Sequence, residues 1–283
     1  MSRENATENL LDGLTFPEGP RWRDGKLWFS DFYSHRVMRV RLDGRAEIVA
    51  EVPQWPSGLG WTPGGVLLIV SMLDRRLMRL DGGTLRLVAD LSALATGPCN
   101  DMVVDGAGRA YIGNFGFDRH GGEVERRTCI VRVDLDGTVI RAADDLFFPN
   151  GMVITPDGKR LVVGETLAKR LTAFDIDAGG ALTNCRVFAQ FEDCYPDGIC
   201  LDAEGAIWVA DARGNRVIRV FEGGRVERTI STGSQGAYAC MLGGADRRTL
   251  FICTSSGSGP AMAGKRDGRI EFARVEVAGA GLP

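Results

Sequence analysis

The stretch FPEGPRWRDGKLWFSDFYSHRVMRV, Phe16–Val40, holds the unit from which the rest of the chain is built. It opens on aromatic-Pro-X-Gly, runs into an apolar strand and turns at Asp24-Gly25. It returns through KLWFSD and, after a few polar residues, enters a third strand, HRVMRV. β-Branched and aromatic side chains pack well on a pleated surface, and Gly reaches positive φ without steric cost, so apolar runs between Asp-Gly turns read as short strands. The opening returns as Trp55-Pro56-Ser57-Gly58, Phe148-Pro149-Asn150-Gly151 and Tyr195-Pro196-Asp197-Gly198, with a variant at Pro98-Cys99-Asn100-Asp101. Matching Leu250–Cys253 to Leu161–Gly164 puts a sixth opening near residue 237, with Ala239 at X. Successive X positions lie 39 to 50 residues apart, the period of a propeller blade.

The pattern predicts an all-β fold: a six-bladed β-propeller of four-stranded blades, one domain over residues 1–283, with blade openings near 16, 55, 98, 148, 195 and 237. Second strands are visible as KLWFSD, VLLIVS, RAYIGN, RLVVGE, AIWVAD and TLFICT. No run has helical period at normal length; Asp90–Ala95 is the one candidate for a helical turn. Each blade must cover its neighbour's apolar face, so the ring must close. Thr7–Leu14 is too short for a blade and is predicted to close the ring as the outer strand of the sixth. Asp118–Arg127, between the second and third strands of the third unit, reads as an insertion projecting near one face.

Composition narrows the function. The formal charge is −3 and both signs are interspersed, which excludes a nucleic-acid footprint. The opening MSRENATENLLDGL lacks an apolar signal region, and no apolar run approaches a membrane span, so a cytoplasmic location without membrane contact is expected. Seven cysteines without CxxC, and only two histidines, argue against a Cys/His zinc site. The cysteines read mostly as buried thiols, with a Cys194–Cys200 bridge the weaker alternative. Nothing in the sequence reads the oligomeric state.

Repeat-equivalent residues of a propeller come round to one level about its axis. The X residues read Glu18, Ser57, Asn100, Asn150, Asp197 and Ala239, and four of them carry hard oxygen donors. Oxygen donors without Cys or His suit Ca²⁺, and also Mg²⁺ or Mn²⁺, with Zn²⁺ and Fe²⁺ less ideal. Glu18, Asn100, Asn150 and Asp197 are therefore the candidate metal ligands. The competing reading has them capping the blade openings through Asx-turns. Ser57 and Ala239 would leave room for a substrate.

Four stretches carry a resemblance. FPEGPRW with LWFSD (Phe16–Asp31), NDMVVDGAGRAYIGN (Asn100–Asn114), FPNGMVITPDGKRLVV (Phe148–Val163) and YPDGICLDAEGAIWVAD (Tyr195–Asp211) are similar to the SMP-30/gluconolactonase/LRE family, of which regucalcin-like proteins are members. The resemblance spans about residues 11 to 277. It implies a six-bladed propeller with one divalent metal near the axis, held by Glu18, Asn150 and Asp197. Asn100 matches a family Asn that either ligates the metal or contacts substrate. Family activities include sugar lactonases and, at greater distance, phosphotriester hydrolases. The chain departs from the sugar lactonases where they carry an Arg two residues before the Asn of NDG: here Pro98 and Cys99 precede Asn100, and Met102 replaces the Gly. That departure points to a less hydroxylated lactone or ester.

The expected chemistry is hydrolysis of a small lactone or ester by metal-activated water, that of a carboxylic ester hydrolase. Asp197 is the candidate general base and Glu18 the alternative. A phosphotriesterase using the same metal, or a non-enzymatic propeller stabilised by Ca²⁺, are the competing functions. No GxSxG occurs, and Ser255–Gly259 reads as a flexible loop. Asn114, Phe115 and His120 are candidate substrate contacts, with Asn114 and Phe115 lining one side and His120 reaching over as a lid. His35 reads as a turn residue. Phe16, Trp55, Phe148 and Tyr195 read as inter-blade core.

Overall fold

A computed structural model describes residues 6–119 and 121–282. The described strands form six antiparallel sheets of four strands each. The inner strands are Pro17–Arg23, Pro56–Trp61, Cys99–Val104, Pro149–Ile154, Pro196–Leu201 and Gly236–Gly243. Each contacts the inner strands on both sides, and the sixth contacts the first, so the sheets close into a six-bladed propeller. Inner and second strands are almost wholly buried, whereas outer strands such as Ala46–Glu51 are largely exposed. The core therefore lies around the axis and between blades, as expected when twisted sheets pack face to face in a ring.

The Gly of the aromatic-Pro-X-Gly motif has a packing role. A Cβ on Gly58 would stand 2.4 Å from the Met102 amide nitrogen, and one on Gly151 would stand 2.6 Å from that of Ile199. Neighbouring inner strands thus approach too closely at these points for any side chain.

Glu8–Leu14 pairs antiparallel with Gly268–Arg274 and forms the outer strand of the sixth blade, as predicted from its length. The Thr7 hydroxyl also donates to the Glu271 carboxylate at 2.5 Å. Asp90–Ala95 supplies one isolated turn, with the Ala95 amide on the Leu91 carbonyl. All seven cysteines are free and only Cys185 is exposed, so Cys194 and Cys200 are not bridged. Among the described residues no helix is long and apolar enough to cross a membrane.

One repeat position is corrected by register. Pro17, Pro149 and Pro196 pair with Asp31, Glu165 and Asp211, the last residues of their second strands. In the sixth blade the matching pair is Ala237 with Thr254. X is therefore Tyr238, not Ala239. Leu242 pairs with Leu250 where the fourth blade pairs Ile154 with Leu161, so the sixth hairpin is one residue longer. Matching second strands across it displaced the inner strand by one.

Candidate functional site

Glu18, Asn100, Asn150 and Asp197 come from four different blades and line a single cavity of about 330 Å³. All four are buried, at 4% to 8% exposure. Ser57 is not among the lining residues; its hydroxyl donates to Asn100 Oδ1 at 3.4 Å. Tyr238 makes the sixth side of the ring aromatic rather than open.

The orientation of Asn150 follows from its neighbour. The Thr166 hydroxyl donates to the Pro196 carbonyl at 2.6 Å, so its remaining role is to accept. The group facing it at 3.2 Å must then be the Asn150 amide nitrogen. Asn150 also hydrogen-bonds the Asp197 carboxylate. With its nitrogen committed, Asn150 keeps the carbonyl oxygen as its free acceptor.

The two carboxylates are electrostatically uncomfortable. Burial, and then the charge of Asp197, push Glu18 well above the usual carboxylate range. Burial raises Asp197 from 3.8 to about 8, with Arg119 and the Asn150 hydrogen bond pulling the other way. Neither carboxylate has a basic partner among the described ion pairs. Two buried carboxylates with no directly paired cation, beside two amide oxygens, match the needs of a hard divalent ion. Among the described residues no group of three or more His, Cys, Asp and Glu is placed to hold a metal, so amide oxygens must supply half of any such set.

A buried ion pair lies beneath the ring. Arg21 Nη2 donates to Asp101 Oδ1 at 2.5 Å and to the Met102 carbonyl, while Nε donates to the Leu59 carbonyl. One side chain thus ties the first three blades together next to Glu18 and Asn100.

A second ring of lining residues follows its own repeat rule. The residue directly after the second strand donates its amide to the carbonyl of the blade opener: Phe32 to Phe16, Met72 to Trp55, Phe115 to Pro98, Thr166 to Phe148 and Ala212 to Tyr195. All five of these donors line the cavity. Acidic side chains ending three second strands clamp the same corner: Asp31 accepts the Phe16 amide, Glu165 that of Phe147 and Asp211 that of Tyr195.

Phe115 lines the cavity as expected. Asn114 does not: it is fully buried, its amide nitrogen donates to the Cys129 carbonyl and its oxygen accepts from Thr128 and the Gly116 amide. It sits where Asp31 and Asp211 sit, but it holds the turn and third strand of its own blade rather than the blade opener, because Pro98 has no amide hydrogen to give. His120 lies outside the described residues, but Arg119 and Glu125 from the same insertion line the mouth. His35 occupies a turn, with φ 62° and its Nδ1 2.8 Å from the Pro53 carbonyl. Phe16, Trp55 and Phe148 line the cavity instead of serving only as core, and Trp55 and Phe148 have φ of 64° and 60°, rare for bulky residues. Tyr195 is not among the lining residues; Lys169 and Arg213 sit over its ring. Sequence reading missed Thr166, Met72, Tyr33 and Tyr238. The signal that would have found the first two is the position after each second strand.

The fold and the ring define a six-bladed propeller with an acid- and amide-lined axial pocket. Residues 16–256 match the family described as SMP-30/Gluconolactonase/LRE-like region, and the chain belongs to that family. It is 28% identical to pentonolactonase of Haloferax volcanii, over 94% of this chain and 92% of that one. It is 27% identical to 6-deoxy-6-sulfogluconolactonase of Pseudomonas putida, over 84% of this chain and 82% of that one. Among solved structures, the calcium-binding protein regucalcin of Agrobacterium tumefaciens superposes with a TM-score of 0.82 at 25% identity, covering 98% of this chain and 96% of that one.

Proposed function

We propose that the protein opens a lactone or similar small ester by hydrolysis, with a divalent cation held by Glu18, Asn100, Asn150 and Asp197. The observation that carries this reading is the convergence of those four oxygen-bearing side chains, from four blades, on one buried cavity. Two curated relatives bear lactonase names, and a structural neighbour is described as calcium-binding, which supports both the reaction and Ca²⁺ as the first ion to try. When bound, the cation supplies positive charge that polarises the substrate carbonyl and acidifies a neighbouring water.

The side chains do the rest. Asn150, fixed by Thr166, presents its oxygen in one orientation. Asp197 takes a proton from the attacking water as hydroxide adds to the carbonyl carbon. It returns that proton to the ring oxygen as the carbon–oxygen bond breaks, and a hydroxy acid leaves. Glu18 is the alternative base. The surrounding aromatic side chains keep bulk water away from both carboxylates.

The test is a lactone panel on chelated protein, with Ca²⁺, Mg²⁺, Mn²⁺, Zn²⁺ and Fe²⁺ restored one at a time. Turnover should return with at least one ion and be absent from Asp197→Asn, whose unfolding transition should remain cooperative. No rate with any ion on any lactone would sink the enzymatic reading. Turnover of a paraoxon-type triester alone would move the reaction to phosphotriester hydrolysis.

A further inference from the structure

Polar groups of the cavity fall into two sets. The ring residues are buried and are assigned above to cation and water. Arg119, Glu125, Arg213 and Ser258 are exposed at the mouth. The rest of the lining is rich in aromatic side chains: five of the chain's 13 Phe, one of its 5 Trp and two of its 4 Tyr line this cavity, along with Met72 and Leu167.

These side chains form continuous walls. Phe115 and Phe148 stack at 4.3 Å between ring centroids, with Phe117 at 6.1 Å from Phe148. Phe16 meets Tyr238 at 4.7 Å and Tyr33 at 5.6 Å, and Tyr33 meets Trp55 at 5.0 Å. Hydroxyls in the walls are few and each already has a partner, leaving only the Tyr33 and Tyr238 O–H groups to donate. Thr166 donates to Pro196 and accepts from Asn150, Tyr33 accepts the Gly259 amide at 2.7 Å, and Tyr238 hydrogen-bonds Ser258. A polyhydroxylated ring placed here would bury hydroxyls against phenyl faces, and an unpaired buried hydroxyl is costly.

We propose, resting on the hydrolytic reading above, that the substrate is a lactone or ester carrying a flat apolar group of aryl type, and that this group is held between the Phe115–Phe148 wall and the Phe16–Tyr33–Trp55–Tyr238 wall. The cavity, about 330 Å³, is roughly twice the ~150 Å³ apolar cavity that takes one benzene. It matches a reacting ring fused or joined to one aryl ring. The ring of oxygen donors sets the chemistry; the second ring of residues and the blade openers set the substrate.

The experiment compares lactones with the same kind of alkoxide leaving group: a benzo-fused six-membered lactone (isochromanone), δ-valerolactone and glucono-δ-lactone. In parallel, calorimetry measures binding of the benzo-fused and plain six-membered lactams, which resist hydrolysis. Added apolar contact in a hydrophobic pocket discriminates by on the order of tenfold to two hundredfold. The benzo-fused lactone should exceed both others in kcat/KM by at least tenfold, and its lactam should bind at least tenfold tighter than the plain one. Phe115→Ala should lower kcat/KM for the benzo-fused lactone at least tenfold more than for δ-valerolactone. Hydrolysis that favours the sugar lactone would overturn this inference and leave the hydrolytic function standing. If no lactone turns over, the hydrolytic reading fails, and the lactam comparison still decides: equal affinities would overturn the aryl assignment.

Discussion

Asp197 and Glu18 share a buried cavity in which each prefers to hold its proton, through burial first. A carboxyl whose folded pKa lies above its unfolded value stabilises the fold at low pH, and that contribution is lost as pH rises through the folded value. For Asp197 the window runs from about 4 to about 8. Chelated protein should therefore melt at a lower temperature at pH 8.5 than at pH 5.5. Added divalent cation should raise the melting temperature more at pH 8.5, where protons compete less for the carboxylates. Thermal melts at the two pH values, with and without Ca²⁺, check this; an equal cation effect at both would speak against carboxylate ligation. Arg21 and Asp101 belong to the same scale. Removing one partner of a buried ion pair costs about 3–5 kcal/mol because the other is left charged and alone. Arg21→Ala should lose stability of that order in urea denaturation, and Arg21→Met with Asp101→Leu should recover much of it.

In the blades that carry Glu18, Asn150 and Asp197, the aromatic-Pro-X-Gly corner does two jobs: X turns into the axis while Gly lets adjacent inner strands touch. Gly151→Ala would set a Cβ against the Ile199 amide and the Gly198 Cα, at 2.6 and 2.7 Å. Overpacking of this kind costs about 1–3 kcal/mol, and the displaced strand carries Asp197 with it. Both melting temperature and lactone turnover should fall; a fully stable, fully active variant would contradict the close approach. The corner was legible because it repeats: Glu18, Asn100, Asn150 and Asp197 stand out by spacing alone. What was not legible depends on length and partnership. Tyr238 was missed because one extra residue in its hairpin shifts the register. Asn114 looks like a pocket residue from its strand-end position, yet that position is structural: Asp31 and Asp211 hold the corner from it, and Asn114 holds Gly116, Thr128 and Cys129. Phe115, one residue later, is the one that lines the cavity. Thr166 is legible by its place after a second strand, but its task is not, since that exists only through Asn150 and Pro196.

Around the whole molecule, closure rests on the pairing of Glu8–Leu14 with Gly268–Arg274. Without that strand the edge of Gly268–Arg274 would present unpaired backbone groups, an invitation to association. Deleting residues 1–14 should lower the melting temperature and shift the protein toward larger species in size-exclusion chromatography; a monodisperse, equally stable product would show that the closing strand is dispensable. The ring that closure maintains is what brings four side chains, spread over nearly two hundred residues of sequence, to one cavity. The central claim is that these four residues form one divalent-cation site. Calorimetric titration of chelated protein with Ca²⁺, and then with Mg²⁺ and Mn²⁺, tests it most directly. One ion should bind per chain with at least one of these metals, and the site should be lost in both Glu18→Gln and Asp197→Asn. No binding by any of the three, or binding that survives both substitutions, would contradict it.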